Sequence, residues 1–272
     1  MTADWLEVRP SEAPLVVSFP HTGIDLPAEF EPRLVSPWRA RKDADWWVDR
    51  LYDFAPSLGA TVVRTRISRT VIDVNRDPSG ASLYPGQATT ELCPTTTFDG
   101  EALWRDGLAL DAAEIERRRA TWFAPYHEAL EGELARLRAR HPKVVLYEAH
   151  SIRSRVPRLF EGELPNFNLG TNSGASCDAQ LLRAVEAACS VPGFSRVTDG
   201  RFKGGWTTRR YGRPEQGVHA IQMELACRGY MGEPEGPPTP EAWPTPYSET
   251  RAQPMRAVLA EVLKACLTFA RA

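Results

Sequence analysis

Short apolar runs alternate with helical patterns along the chain, which predicts an α/β fold built around a largely buried sheet. The apolar runs are rich in β-branched residues, which favour strands. The predicted strands are Leu15–Phe19, Thr61–Ile67, Val71–Val74, Val144–Ala149 and Val218–Leu225.

Three helices are predicted. The clearest lies between Asp111 and Arg140, where apolar residues recur mostly every three or four positions. Its first residue is a candidate N-cap, and Pro125 is expected to kink the helix or split it in two. The other two helices are expected around Asp178–Ala188 and from about Glu249 to Phe269. A proline-rich loop over 232–246 is expected to tether the last helix at the surface. Residues 1–272 are expected to form a single domain, because no repeat or composition break divides them.

The bulk composition narrows the class of protein. A length of 272 residues allows one large core, and contents of 42% hydrophobic and 25% charged residues are ordinary for globular proteins. A net charge of -2 argues against a nucleic-acid partner, and no apolar run reaches the roughly 20 residues of a membrane helix. The N-terminus lacks a signal-peptide pattern. Five scattered cysteines without C-x-x-C spacing predict a reduced, cytoplasmic protein.

Two histidines directly follow predicted strands, His21 after the first and His150 after Val144–Ala149. In open α/β sheets, ligands bind at the carboxyl ends of the strands. Two histidines, a carboxylate and a water form a recurring catalytic zinc site. We therefore expect His21 and His150 to share a metal, although each alone would more simply cap a strand. The other histidines are expected to be structural or solvated (His127, His141) or to face away from Glu224 (His219).

The decapeptide SRTVIDVNRD, residues 68–77, is the strongest candidate for anion binding. If it is extended, it places Arg69, Asp73 and Asn75 on one face. Together with Arg76 they form a natural carboxylate-binding unit, in which the aspartate fixes an arginine; a surface salt-bridge ladder is the alternative. The basic, glycine-rich segment 201–214 is expected either to close over a substrate or to be a solvated loop. Both segments predict a small anionic substrate.

Two glutamates on predicted strands are candidates for chemistry. Glu224 is a lone acid in an apolar strand, which is costly to bury without a partner or a task. A raised pKa would suit it as a general base. Glu148 has the same strand parity as His150, and we expect it to bind the metal or to hold a ligand histidine.

An ordered series of motifs covers nearly the whole chain. They are SFPHTG, DADWWVDRLYDFAPSLGA, SRTVIDVNR, LYPGQATTELCPTTTFDG, APYH, EAHSIRSRVPRLFEGELPNFNLGT, GRFKGGWTTRRYG and HAIQMEL. In these motifs the sequence closely resembles N-formylglutamate amidohydrolases, enzymes of the last step of one histidine-degradation route. The resemblance implies a three-layer α/β/α sandwich with a mixed, mostly parallel sheet. This phosphorylase/hydrolase-type fold is similar to that of zinc carboxypeptidases and aspartoacylases.

The resemblance also implies roles for individual residues. Enzymes of this type use a His-x-x-Glu pair and a later histidine as zinc ligands, an Asn-Arg pair for the substrate carboxylate, and a late-strand glutamate as base. His21, His150, Asn75–Arg76 and Glu224 match these positions, but Ile24 stands where the glutamate ligand would be. The missing carboxylate is expected from Asp45 first, and then from Asp43, Asp25 or Glu148.

The resulting expectation is hydrolysis of N-formyl-L-glutamate to formate and L-glutamate by a monomer or small homo-oligomer. One divalent ion is expected, Zn²⁺ first and Co²⁺, Mn²⁺ or Fe²⁺ as alternatives. The expected roles are metal binding (His21, Asp45, His150), catalysis (Glu224, Glu148) and binding of an anionic amino-acid-derived substrate (Arg69, Asn75, Arg76, Lys203, Arg209).

Three alternatives stay open at this stage. The first is hydrolysis of another N-acyl or N-formimidoyl acidic amino acid at the same site. The second is a metal-free nucleophilic hydrolase that uses Cys227 or Ser151, which the lack of a Gly-x-Ser-x-Gly motif disfavours. The third is a protein that binds a dicarboxylate without turnover.

Overall fold

The computed structural model describes residues 4–83, 86, 88–105 and 110–272, so part of the LYPGQ motif lies outside the described residues. It contains a mixed seven-stranded sheet in the order β1-β3-β2-β4-β7-β5-β6. Neighbours among β3, β2, β4 and β7 are parallel, whereas β1 and β5 pair with them in the antiparallel sense. The strands are β1 (Leu6–Arg9), β2 (Leu15–Phe19), β3 (Thr61–Thr65), β4 (Val144–Ile152), β5 (Phe167–Gly170), β6 (Arg196–Thr198) and β7 (Val218–Ala226).

Helices cover both faces of this sheet. Because successive strand residues point to opposite faces, Leu15 and Val17 of β2 pack into one apolar cluster and Val16 into another. The first cluster includes α5 and α7, and the second includes α4. The helices are α1 (Pro37–Arg41), α2 (Val48–Leu51), α3 (Ala112–Arg118), α4 (Ala124–Arg138), α5 (Ala179–Cys189), α6 (Trp206–Tyr211) and α7 (Glu249–Arg271).

These elements confirm the α/β prediction, while the finer likeness to zinc carboxypeptidases and the single domain over 1–272 stay predictions. None of the described helices combines the length and the apolar character that crossing a membrane requires.

The long predicted helix begins as expected, because the Asp111 side chain accepts a hydrogen bond from the backbone N–H of Glu114. No loop interrupts the described chain at Pro125, which lies in the first turn of α4. Instead, a π-helical turn over Arg119–Phe123 joins α3 to α4. Proline has no N–H to donate to the residue four positions earlier, and a wider turn just before it accommodates that loss.

The prediction of a strand over Val71–Val74 is wrong. The segment forms turns, in which the Asp73 carboxylate accepts a hydrogen bond from the backbone N–H of Asn75 at 2.9 Å. This local side-chain contact closes the chain into a turn and competes with extended pairing. The apolar side chains that suggested a strand are buried in the core, with Val71 fully inaccessible.

The proline-rich segment 232–246 has no helix or strand, as predicted, but it is more than a surface tether. Trp243 is 1% exposed and its indole N–H donates to the Lys42 carbonyl. In turn, Trp38 donates to the Trp243 carbonyl and Trp47 to the Thr245 carbonyl. The prediction missed this anchor because it rested on the overall composition of the segment.

His127 has the structural role that the sequence indicated. Its Nε2–H donates to the Val74 carbonyl at 2.8 Å, and Nδ1 lies 3.1 Å from the Tyr211 hydroxyl. Burial lowers the pKa of His127 to about 4. The other two histidines also make structural contacts, His141 with the Glu12 carbonyl and His219 with the backbone N–H of Asp178.

We expect His127 to destabilise the protein in acid. The unfolded chain binds a proton below the ordinary pKa of 6.5, whereas the folded protein resists protonation down to about 4. Between about pH 7.5 and about pH 5, the free energy of unfolding should therefore fall by about 2 kcal/mol more in the wild type than in His127→Gln. Urea unfolding at both pH values measures the difference, and equal losses in the two proteins would contradict it.

Candidate active site

The candidate site lies at the edge of the sheet where the parallel strands end. His21 comes two residues after β2, and Arg69 follows the end of β3. His150 and Glu224 lie inside β4 and β7, directly opposite each other in the pairing register. Strand β4 continues three residues beyond its predicted end, so His150 is held by sheet pairing rather than by a loop.

His21, Asp45 and His150 converge at this edge. The two imidazole centroids are 4.8 Å apart, and Asp45 Oδ2 lies 3.1 Å from His150 Nδ1 and 3.8 Å from His21 Nδ1. All three residues are at most 3% exposed. The backbone N–H of Asp45 donates to the His21 carbonyl, which fixes the loop that carries the carboxylate.

The alternative carboxylates occupy other places. Asp43 accepts a hydrogen bond from the backbone N–H of Phe98 at 2.6 Å, and Asp25 pairs with Arg66 at the surface. Glu148 is fully buried, and its Oε2 lies 3.7 Å from His150 Nε2. Within the described part of the chain, neither Glu148 oxygen has a hydrogen-bond partner.

The converging residues fit a divalent metal ion. Two imidazoles and a carboxylate are ligands that Zn²⁺ and its neighbours in the first transition row accept. Both Nδ1 atoms face the same Asp45 oxygen, and among the described residues the other oxygen of Asp45 is buried without a hydrogen-bond partner. Arg69 Nη1 lies 3.9 Å from that oxygen, too far for a hydrogen bond, and a bound cation would offset the remaining cost of burying it.

Asp73 is a part of the site that the sequence revealed only in part. As predicted, it holds an arginine, with 2.6 Å between Asp73 Oδ2 and Arg69 Nη2. Its Oδ1 also lies 2.6 Å from His21 Nε2, a contact that no sequence pattern indicated. Burial raises the pKa of Asp73, but His21 and the neighbouring arginines outweigh this and hold it well below its usual range. With the Nε2 proton held by Asp73, the lone pair of Nδ1 faces Asp45.

Burial and charge shift the titration of the facing groups. Burial lowers the pKa of His21 to about 4, and Arg69 adds to the effect. Burial opposes the charged form of His150 as well, but the Asp45 carboxylate more than compensates and raises its pKa. Burial raises the pKa of Glu224 against the opposing effect of His150. The site thus contains a carboxyl group whose proton affinity is increased, as a general base requires.

A cleft of about 590 Å³, including space open to solvent, lies over these residues. Gln222, which sequence reasoning did not assign to the site, donates to Glu224 Oε2 at 3.3 Å and accepts from the backbone N–H of Gly205 at 2.7 Å. Its shared strand parity with Glu224 is the signal that would have found it. The other polar residues that line the cleft include His21, Arg69, Asn75, Arg76, His150 and Arg201.

Lys203 and Arg209 are not among the residues that line the cleft. Lys203 is exposed, and Arg209 Nε donates to the Gly204 carbonyl. Gly204, between Lys203 and Arg209, adopts φ = 101°, a backbone conformation that favours glycine and changes the direction of the chain. From this basic segment, Arg201 lines the cleft instead.

The side chains of the predicted alternative nucleophiles contact a tyrosine. Cys227 Sγ lies 3.6 Å from the Tyr230 hydroxyl, and Ser151 Oγ lies 2.8 Å from it. Cys227 is 2% exposed, and burial raises the pKa of its thiol. A buried neutral thiol is a poor nucleophile, which disfavours Cys227 as the nucleophile of the metal-free alternative.

Metal-dependent hydrolases of small anionic substrates typically have imidazoles and a carboxylate at the carboxyl ends of parallel strands, beside an arginine-lined cleft.

The chain belongs to the N-formylglutamate amidohydrolase family, whose model matches residues 13–231. The N-formylglutamate deformylase of Pseudomonas aeruginosa is 46% identical to this chain and covers 98% of it, with 97% of the relative aligned. The N-formylglutamate deformylase of Pseudomonas putida is 44% identical over 97% of this chain and 96% of the relative.

Two solved structures share the fold. The N-formylglutamate amidohydrolase of Ralstonia eutropha superposes with a TM-score of 0.79 at 24% identity, covering 98% of both chains. A gene product of Agrobacterium tumefaciens superposes with a TM-score of 0.73 at 18% identity, over 98% of this chain and 96% of the other. At these identities the likeness concerns the fold alone.

Gly205 lets α6 lie close to the side chain of Asn75, and we expect Gly205→Ala to disturb this contact. A Cβ at this position would overlap the side-chain amide of Asn75, which accepts from the backbone N–H of Thr207 and lies 3.1 Å from His150 Nε2. The substitution should lower the free energy of unfolding by about 1–3 kcal/mol, because the crowded amide has to move.

Gly132→Ala is the matched control, because nothing lies within 4 Å of its Cβ position inside α4. It should raise the free energy of unfolding by about 0.5–1 kcal/mol. Urea unfolding of the two variants checks the pair. A Gly205→Ala protein as stable as wild type would show that α6 tolerates the shift.

Proposed function

We propose that this protein hydrolyses N-formyl-L-glutamate to formate and L-glutamate with the help of one divalent metal ion, Zn²⁺ in the first place. The observation that carries the proposal is the convergence of His21, Asp45 and His150, of which the two histidines line the same cleft as Glu224. The deformylase named at 46% identity supports the choice of substrate.

His21, Asp45 and His150 would hold the ion, and the three ligand atoms that they offer lie within 4.8 Å of one another. A divalent ion bound there supplies Lewis-acid chemistry, which lowers the pKa of a water and stabilises negative charge on a carbonyl oxygen. Asp73 keeps His21 in the required tautomer and orientation, and the Glu148 carboxylate, with Oε2 3.7 Å from His150 Nε2, adds negative charge beside His150.

Glu224 acts as the general base. Its carboxylate lines the cleft and takes a proton from the attacking water, whose oxygen forms a bond to the formyl carbon. The same carboxyl group then gives that proton to the departing nitrogen as the carbon–nitrogen bond breaks, which releases glutamate. Gln222 holds Glu224 in position through its hydrogen bond to Oε2.

Asn75 and Arg76 hold the substrate carboxylate nearest the reacting amide. Arg76 is oriented by two hydrogen bonds to Thr90, from Nε to the carbonyl and from Nη2 to the hydroxyl, each 3.0 Å long. Arg69 adds positive charge beside them, while its own guanidinium is held by Asp73. A guanidinium fixed in this way binds a carboxylate at little further cost in entropy.

Removing the metal should abolish formate release, and one equivalent of Zn²⁺ should restore it. His21→Gln, Asp45→Asn and His150→Gln should each weaken Zn²⁺ binding by about tenfold or more, because each removes a ligand atom. His219→Gln serves as the control, because its ring packs on Phe269 away from the cleft. Metal analysis alongside a formate assay decides, and full turnover by metal-free protein would overturn the metal requirement.

Glu224→Gln should lower kcat for N-formyl-L-glutamate by about 10²- to 10⁴-fold, because the amide cannot accept the proton. KM and bound metal should change little. Glu163→Gln is the control, since Glu163 lies at the surface and pairs with Arg155 and Arg228. Steady-state kinetics measure the effect, and a variant with near-wild-type kcat would remove Glu224 from the role of base.

A further inference from the structure

We infer that Arg201 binds the distal carboxylate of the substrate and thereby selects an acidic side chain over a neutral one. This inference rests on the proposed function and deepens it, because it assigns the second end of a dicarboxylate to a particular residue.

Arg201 is placed in the cleft by contacts with two separate segments. Its Nε donates to the Leu159 carbonyl at 2.7 Å, and its Nη2 donates to the Ala88 carbonyl at 2.8 Å. Both partner residues also line the cleft. These contacts orient the guanidinium plane at the cleft wall and reduce the side-chain entropy that anion binding would otherwise cost.

Arg69 and Arg76 are the cations beside the reacting centre, because their Nη2 atoms lie 2.6 and 3.8 Å from Asp73 Oδ2, and Asp73 itself contacts His21. Asn75 lies 3.1 Å from His150 Nε2, and Arg76 follows it directly in the chain. Arg69 is engaged by Asp73 and lies under the ring of Phe98, with 4.8 Å between the guanidinium carbon and the ring centroid. In N-formylglutamate the α-carboxylate is attached to the carbon that bears the amide nitrogen, so it falls to Asn75 and Arg76.

The second carboxylate is two methylene groups further along the side chain and needs a separate cation. The described lining of the cleft contains three arginines, Arg69, Arg76 and Arg201, against the single carboxylate of Glu224. Ile152 and Phe202 line the same cleft as Arg201 and offer apolar surface for the methylenes. A short aliphatic chain that ends in a negative charge therefore matches this wall.

The test compares two substrates that differ only at the distal group, N-formyl-L-glutamate and N-formyl-L-glutamine. In wild-type metal-loaded enzyme, the ratio of their kcat/KM values measures the preference for the charge. Arg201→Gln should lower this ratio by about 10- to 100-fold, as expected for loss of a charge-assisted hydrogen bond. Arg201→Lys should retain most of the preference, because it keeps the cation.

Arg155→Gln is the matched control for loss of one positive charge. Arg155 is exposed, close in sequence to the Leu159 segment, and donates to Glu163 outside the cleft. Its ratio should equal that of the wild type. If Arg201→Gln slows both substrates equally and leaves the ratio within twofold of wild type, Arg201 only bridges the two segments and the inference is wrong.

Product binding separates this inference from the proposed function. Calorimetry should show that wild-type protein binds L-glutamate more tightly than L-glutamine, and that Arg201→Gln removes the difference. Absence of formate release together with this binding pattern would overturn the proposed reaction and leave the anion site intact. Normal formate release without any change in the binding preference would overturn the anion site alone.

Discussion

The parallel pairing of β2 with β4 and of β4 with β7 is the constraint on which the site depends. It brings His21, His150 and Glu224 to one edge of the sheet, although they are far apart in the chain. Sheet hydrogen bonds and apolar clusters on both faces fix the backbone positions of His150 and Glu224. The loop with Asp45 and the turn with Asp73 then need only reach a rigid edge, which gives the imidazoles a defined separation.

Buried carboxylates are the main electrostatic cost of this arrangement, and the site satisfies them unequally. Asp73 contacts His21, Arg69 and a backbone N–H, so its negative charge is well compensated. Asp45 and Glu148 are equally buried but keep oxygens without hydrogen-bond partners in the described part of the chain. This difference is expected if Asp73 orients a histidine and Asp45 is a metal ligand. The incomplete hydrogen bonding of Asp45 and Glu148 therefore lowers the stability of the fold at the same place where a metal ion would bind.

The sequence predicts the strands that carry the site well, because buried parallel strands form continuous apolar runs; Leu15–Phe19 has the bounds expected. It fails where a turn is also apolar, as at Val71–Val74, since buried turns and short strands share the same composition. The contact between Asp73 and His21 depends on tertiary folding, which no local spacing encodes. Likewise, Arg201 and Lys203 are equivalent by composition, and only the folded backbone shows that Arg201 lines the cleft while Lys203 is exposed.

The buried position of Trp243 determines where this chain can be truncated. The family match ends at residue 231, yet Trp243 and Thr245 accept or donate hydrogen bonds with the segment 38–47, which carries Asp45. The buried face of α7 completes the apolar cluster behind β2. The end of the family match is therefore not the end of the structural unit, because residues after 231 hydrogen-bond to the segment that carries Asp45. A chain truncated at residue 231 would lose these hydrogen bonds together with the part of the apolar core that α7 supplies.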